Sequence, residues 1–231
     1  MTTIAANLQT VRGRIAAACA RAQRQVEEVT LLAVSKTFGP EEVREAHAAG
    51  QRAFGENYIQ EAVEKIGLLS GLALEWHCIG PIQSNKTRLV AQHFDWAHTV
   101  DRLKIAQRLS EQRPEGKPPL CVCIQVNIDG GPSKSGAAPG EVAELAREIA
   151  RLPNLRLRGL MTIPEPGADF EAQKAPHEAA AALFRQLRAQ GIEMDTLSMG
   201  MTADLEAAVA AGSTMVRVGT AIFGGRPKKE G

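Results

Sequence analysis

Apolar residues at Ile4, Leu8, Val11, Ile15, Cys19, Ala22 and Val26 recur at steps of three and four, which gathers them on one side of a helix. The pattern then changes. Residues 29–36, VTLLAVSK, form a short apolar run broken by Phe38-Gly39-Pro40, which predicts a buried strand and a turn. Pro40 opens and Gly50 closes the helical segment EEVREAHAA, and RAFGENY with a second helical stretch repeats the alternation. Six more strand candidates follow: LEWHCIGPI (74–82), DWAHTV (95–100), LCVCIQVNI (120–128), LRLRGLMTI (155–163), TLSMGM (196–201) and TMVRVGTAIF (214–223). Most are separated by helical patterns, namely NKTRLVAQHF, RLKIAQRLSEQ, PGEVAELAREIARL, HEAAAALFRQLRAQ and TADLEAAVAA.

Strands that alternate with helices predict a parallel sheet, because parallel neighbours need a long crossover. Eight such units in 231 residues predict an α/β fold with a single (β/α)8 barrel, near the lower size of roughly 200 residues for that fold. A doubly wound open sheet is the alternative. One domain is expected over residues 1–231, with the helix of residues 1–27 packed on the barrel and a flexible tail over 225–231. No helix is expected after the eighth strand, so the N-terminal helix should cover that side. GPSKSGAAPG (131–140) reads as a loop at the carboxyl end of strand five, and PEPGADFEAQKAP (164–176) as an exposed excursion after strand six.

Hydrophobic residues make up 44% of the chain and charged residues 23%, as in an ordinary globular protein. The 27 basic and 26 acidic residues nearly cancel, so no field broad enough to gather nucleic acid or an anionic membrane surface is implied. No stretch reaches membrane-span length and the start lacks the apolar block of a secretory signal, which makes a cytoplasmic monomer the expectation. The four cysteines form no CxxC pair and read as reduced thiols, and the five histidines share no metal-ligand spacing.

A parallel barrel places the carboxyl ends of its strands on one face, where barrel enzymes carry their sites. Those ends hold Lys36, Asn57 and Tyr58, the run Ile82 to Lys86 with Ser84 and Asn85, Asn127 with Lys134, Met161, the run Ser198 to Met201, and Arg217 to Thr220. Tyr58 reads as an amphipathic core residue. At the exit of a buried strand an amine is partly desolvated, which favours the nucleophilic neutral form suited to a Schiff base; position alone leaves this against a lysine that reaches water from the rim. Ser198-Met199-Gly200 and Val218-Gly219-Thr220 fall where barrels often build a phosphate cup, although each glycine alone also suits a plain turn. Arg217 interrupts an apolar run, so its guanidinium points into the barrel or its mouth and needs a partner. That partner is either an interior carboxylate or a ring nitrogen of a bound cofactor.

The segments AVSKT, FGENYIQEA, WHCIGPIQSNK, VNIDGGPSKSG, LRGLMTIP and SMGMTADLEAAVAAGSTMVRVGTAIFG lie between residues 31 and 224. In this order and spacing they resemble the pyridoxal phosphate homeostasis proteins, the YggS or PROSC family. The resemblance implies a barrel of the alanine racemase N-terminal type with pyridoxal 5′-phosphate as a Schiff base on Lys36. It further implies that Ser198, Met199, Gly200, Gly219 and Thr220 surround the phosphate and that Arg217 faces the pyridine nitrogen. Asn57, Ile82, Ser84, Asn85 and Met161 would line the ring pocket, and Lys134 would act in cofactor transfer. Two departures from the family pattern are Gly130-Gly131-Pro132 in the Lys134 loop and Thr202 where serine is common. The implied function is a carrier that holds the cofactor reversibly and supplies apo pyridoxal-phosphate enzymes. A weak amino-acid racemase is the alternative, and a barrel for another phosphorylated metabolite is a third reading. Two arguments favour the carrier. A racemase needs an acid/base on each face of its substrate, and a permanent cation against the ring nitrogen opposes its protonation.

Overall fold

The computed structural model describes residues 3–131 and 135–225. Eight parallel strands close into a barrel in chain order: β1 (Thr30–Val34), β2 (Ala53–Glu56), β3 (Glu75–Cys78), β4 (Trp96–Val100), β5 (Leu120–Gln125), β6 (Leu155–Met161), β7 (Thr196–Ser198) and β8 (Met215–Val218). Around it run α1 (Ile4–Arg21), α2 (Pro40–Ala48), α3 (Ile59–Leu68), α4 (Thr87–His93), α5 (Leu103–Gln112), α6 (Val142–Ala150), α7 (Phe170–Ala189), α8 (Leu205–Ala210) and α9 (Thr220–Phe223). The expected (β/α)8 barrel is therefore present, and β8 pairs with β1 to complete it.

Most strands end earlier than the apolar runs predict. Only residues able to pair with a neighbour on either side stay in the sheet, and the remainder of each run turns outward to build the mouth. Lys36, Asn57, Ile82 and Gly219 are loop residues for this reason. Tyr58 is a correction: it is 52% exposed just before α3, because the chain has already left the barrel at Asn57. Another is the end of the 214–223 run, where Gly219 breaks the extended backbone and residues 220–223 coil into α9. There Ile222 and Phe223 are buried, and Phe223 stacks on Phe38 with ring centroids 5.1 Å apart. The 164–176 segment is only half a loop, because the Asp169 side chain accepts from Ala172 N–H (2.9 Å) and starts α7 at Phe170, with Pro176 inside the helix.

α1 packs beside α8, α9 and α2 on the side of the barrel next to β8. Its face of Leu8, Val11, Ile15 and Cys19 is buried, Asn7 Nδ2 donates to the Ile222 carbonyl (2.8 Å), and Arg14 grips Glu206 on α8 through two bonds of 2.8 Å. The helix stops at Arg21 and not at Val26, because Gln23 takes a left-handed φ of 54°. Of the proposed tail, Gly225 is described; residues 226–231 lie outside the described residues.

One large apolar cluster fills the layer between sheet and helices. Inside the barrel, strand alternation leaves two small clusters, Leu32, Val34, Ala53, Ile79 and Met215 on one side and Trp96, Cys123 and Met161 on the other. The rest of the interior is polar: His77, His98, Ser198 and Arg217 are all buried. All four cysteines are free, and burial pushes the Cys78 thiol up to about 12. Among the described residues no helix is long and apolar enough to cross a membrane, and no cluster of metal-ligating side chains occurs.

The β5–β6 register slips so that Val122 faces Leu157 but Cys123 faces Gly159, leaving Arg158 as an extra residue on β6. Gly159 pairs with Thr196 of β7, and a Cβ at this position would run into the Thr196 carbonyl. Gly159→Ala should therefore force β6 and β7 apart and lower the unfolding free energy by about 3 kcal/mol in a urea titration. A change below about 0.5 kcal/mol would show that the barrel seam yields freely.

Candidate functional site

Lys36 lies half-buried, two residues beyond β1, in a turn where Phe38 N–H donates to the Ser35 carbonyl (3.1 Å). Thr37 has φ 68°, a left-handed conformation that β-branched residues avoid. Such strain persists only when its surroundings hold it, and here they do. Thr37 N–H donates to Glu61 Oε1 (3.0 Å), Lys65 Nζ donates to the Ser35 carbonyl (3.0 Å), and Ser35 Oγ donates to Glu56 Oε1 (2.6 Å). Glu56 Oε1 also receives Lys65 Nζ at 2.6 Å, and both residues are buried. The residues on either side of Lys36 are thus pinned to β2 and α3.

On the neighbouring strand, Asn57 leaves β2 with its Oδ1 buried and without a hydrogen-bond partner, and across the mouth Thr162 Oγ1, just past β6, is in the same state. A Cβ on Gly80 would strike the Asn57 carbonyl, so only glycine allows the β3 exit to press against the β2 exit. Thr99 Oγ1 fixes that approach by donating to the Gly80 carbonyl (2.6 Å). Asn85 is exposed at the rim, while the neighbouring Ser84 carbonyl is held by Thr87 Oγ1 (3.0 Å) and Arg108 Nε (3.0 Å).

On β8, which pairs with β1 and so stands beside the strand that leads to Lys36, Arg217 is 4% exposed, and its pairing is settled by geometry. Nη1 donates to the Ser198 carbonyl (2.7 Å) and to Ser198 Oγ (2.8 Å), and Nη2 donates to the Thr162 carbonyl (2.8 Å). No interior carboxylate takes part in these bonds. Burial lowers the guanidinium to about 10, which leaves it cationic at neutral pH. The Gly200 carbonyl accepts Arg217 N–H (2.9 Å), and with φ 95° and Ala208 in the path of any Cβ, position 200 requires glycine. A Cβ on Gly219 would sit 3.2 Å from the Val34 carbonyl, so the β8 exit lies against the β1 exit that leads to Lys36. Thr220 is exposed at the start of α9.

The structure redistributes several expected roles. Ser198 Oγ is taken by Arg217 on one side and His98 Nδ1 (2.8 Å) on the other, which commits it to the guanidinium and away from a phosphate. Met199 and Ile82, both past the ends of their strands, pack into the core between sheet and helices. Met161 is fully buried among Trp96 and Cys123. Asp204 accepts from Met201 N–H (2.7 Å) and pairs with His177 Nε2 (2.9 Å), tying the exit of β7 to α7. Asn127 closes its own loop through Gly130 N–H (3.1 Å) and the Gly131 carbonyl (2.8 Å), whereas Lys134 lies outside the described residues. Sequence reasoning missed Glu56, Lys65 and His98 altogether. For Glu56 the available signal was a carboxylate inside an apolar strand.

The alanine racemase N-terminal domain model matches residues 7–227. A Pseudomonas aeruginosa protein named pyridoxal phosphate homeostasis protein is 59% identical over 98% of this chain and 97% of its own. The chain belongs to the pyridoxal phosphate homeostasis protein family. An Escherichia coli member is 56% identical over 98% of each chain. Among solved structures, PipY of Synechococcus elongatus with pyridoxal phosphate bound is similar at a TM-score of 0.83 and 37% identity, over 96% of this chain and 100% of PipY. A Clostridium difficile alanine racemase shares the fold at a TM-score of 0.77 and 16% identity, and this chain covers 58% of it.

The Glu56–Lys65 pair makes a pH-dependent prediction. Burial raises the Glu56 carboxyl above its ordinary value, with Lys65 and Ser35 opposing it. A carboxyl raised on folding contributes stability below its unfolded value and loses it as pH climbs through the folded one. Lys65→Met removes the opposing cation and deepens that loss. Unfolding free energy should fall by about 3–5 kcal/mol near pH ~8 and by clearly less near pH ~5; equal losses at both would mean that Glu56 is not ionised in the native protein.

Proposed function

We propose that this protein binds pyridoxal 5′-phosphate, carries it reversibly on Lys36, and serves the homeostasis of that cofactor rather than amino-acid turnover. When bound, the cofactor supplies an aldehyde with which an amine condenses, releasing water. The observation that carries this reading is the composition of the mouth: a half-buried lysine on an anchored turn, unpartnered buried atoms on Asn57 and Thr162, and a guanidinium with no carboxylate partner. They occur together in a chain 59% and 56% identical to two proteins named for this homeostasis.

In this reading Lys36 Nζ provides the amine, and its pinned turn keeps it at the rim. Asn57 and Thr162 present the polar atoms that a bound ring compound would satisfy. Gly200 leaves no room for a Cβ against Ala208 and Gly219 little against Val34, and with the exposed Thr220 hydroxyl they give the backbone that a phosphate would approach. Arg217 aims its remaining donors at the ring nitrogen, and its charge opposes a second positive charge there. That arrangement weakens the electron sink a racemase needs. Ser84 and Asn85 form the rim, and Lys134 is assigned to transfer. The protein is proposed to act as a cytoplasmic monomer whose recipients are apo pyridoxal-phosphate enzymes.

Protein loaded with pyridoxal 5′-phosphate should show a visible absorption band that survives gel filtration, and borohydride should fix the label on the peptide containing Lys36. Lys36→Ala should lose the band. Label on another lysine would overturn the assignment, and racemisation of L-amino acids well above the free-cofactor rate would replace the carrier with an enzyme.

A further inference from the structure

The polar residues inside the barrel join into one line. Glu75 Oε1 lies 2.8 Å from His77 Nε2, His77 Nδ1 lies 2.9 Å from His98 Nε2, His98 Nδ1 lies 2.8 Å from Ser198 Oγ, and Ser198 Oγ receives Arg217 Nη1 at 2.8 Å. Glu75 begins β3 and faces a cleft of about 510 Å³ at the amino-terminal end, lined also by Trp96, Arg158, Asp195 and Thr214. Arg217 is near the carboxyl end of β8. The line therefore crosses the barrel from one mouth toward the other, and both imidazoles in it are 0% exposed.

The two ends determine which way every hydrogen points. Arginine only donates and an ionised carboxylate only accepts. Hydrogen bonding from His77 holds the Glu75 carboxyl below the usual range, so the proton between them sits on His77 Nε2. Burial keeps both rings neutral, with His98 held well below the ordinary histidine value. A neutral His77 then accepts at Nδ1, which places the His98 proton on Nε2. His98 Nδ1 accepts in turn, and the Ser198 hydroxyl donates to it while receiving Arg217. The charged groups around the rings divide: the two acids favour a charged His77 and the two cations oppose charge on the rings, so burial decides. Glu75 on β3 and Asp95 ahead of β4 are acidic, and Arg217 on β8 and Arg158 on β6, which stacks on Trp96 at 4.5 Å, are cationic; Trp96 itself lies against His77 with centroids 5.1 Å apart.

We propose that Glu75, His77, His98 and Ser198 act as a one-way hydrogen-bond chain that aims the Arg217 guanidinium at its ligand, a pyridine-type ring nitrogen. The four are positioning residues; only Arg217 meets the ligand. The ligand's identity rests on the cofactor reading above, whereas the direction of the chain does not. The chain also gives the buried cation an anionic terminus at the far mouth.

The direction is tested on the full-length protein without cofactor, by 15N NMR of labelled histidine with assignment through single-histidine variants. His77 and His98 should each show hydrogen on Nε2 and a bare Nδ1, unchanged from about pH 5.5 to about pH 8.5. Hydrogen on Nδ1 of either ring, or titration in that range, overturns the chain. Glu75→Gln changes a partly exposed residue at the far end and should leave the fold intact by circular dichroism. Because a carboxamide can donate as well as accept, His98 should then show a mixture of tautomers; an unchanged His98 overturns the role of Glu75. In protein loaded with pyridoxal 5′-phosphate, Ser198→Ala should raise the pH midpoint of the visible band by about one unit, a tenfold change in ring protonation. A midpoint equal to wild type, in a variant that still binds, overturns the positioning role and leaves the carrier reading standing. Failure of the wild-type protein to take up the cofactor overturns the carrier reading and the ligand assigned to Arg217, while the tautomer result judges the chain itself.

Discussion

A guanidinium is buried inside this barrel and, among the described residues, no carboxylate is hydrogen-bonded to it; much of the carboxyl mouth follows from that. A buried cation must be compensated, and a neighbouring acid would do so by neutralising it. Here the compensation comes from main-chain carbonyls at the ends of β6 and β7 and from one hydroxyl. The Ser198 carbonyl also accepts Thr162 N–H (3.1 Å), so it serves the sheet and the guanidinium at once. Arg217 consequently keeps its full charge and a fixed direction, two properties that an ion pair would have blunted.

The wall carrying Lys36 solves a different problem. For the proposed function, the Lys36 amine has to be presented at a fixed place without being sunk into the core. A left-handed threonine stores strain beside it, and a buried carboxylate, a buried ammonium and a glutamate on α3 hold the backbone on both sides. The two walls meet where Gly219 lies against the Val34 carbonyl, so the position of the amine and that of the guanidinium are coupled through bare backbone.

The barrel was legible because its signal is repetitive. Eight apolar runs punctuated by helical spacing leave few other topologies, and α1 announced its packing face through an unbroken period of three and four. Strand ends were less legible, since apolarity continues past the last paired residue when a chain turns along the mouth; Tyr58 and residues 220–223 were misread for that reason. Lys36 and Arg217 stood out as charges in apolar surroundings. Met199 and Ile82 were assigned to the right mouth, but their side chains pack in the layer between sheet and helices, a distinction that no linear pattern contains. The histidine line was invisible for a related reason: His77 and His98 lie on neighbouring strands and meet only once β3 and β4 are paired.

The bond from Asn7 to the carbonyl of Ile222 joins the first helix to the last. Between those two residues the polypeptide makes one full circuit of the barrel and returns to where it set out. Its architecture is thus close to a ring cut at a single point, and the cut falls on the outer wall of helices, away from the seam of strands.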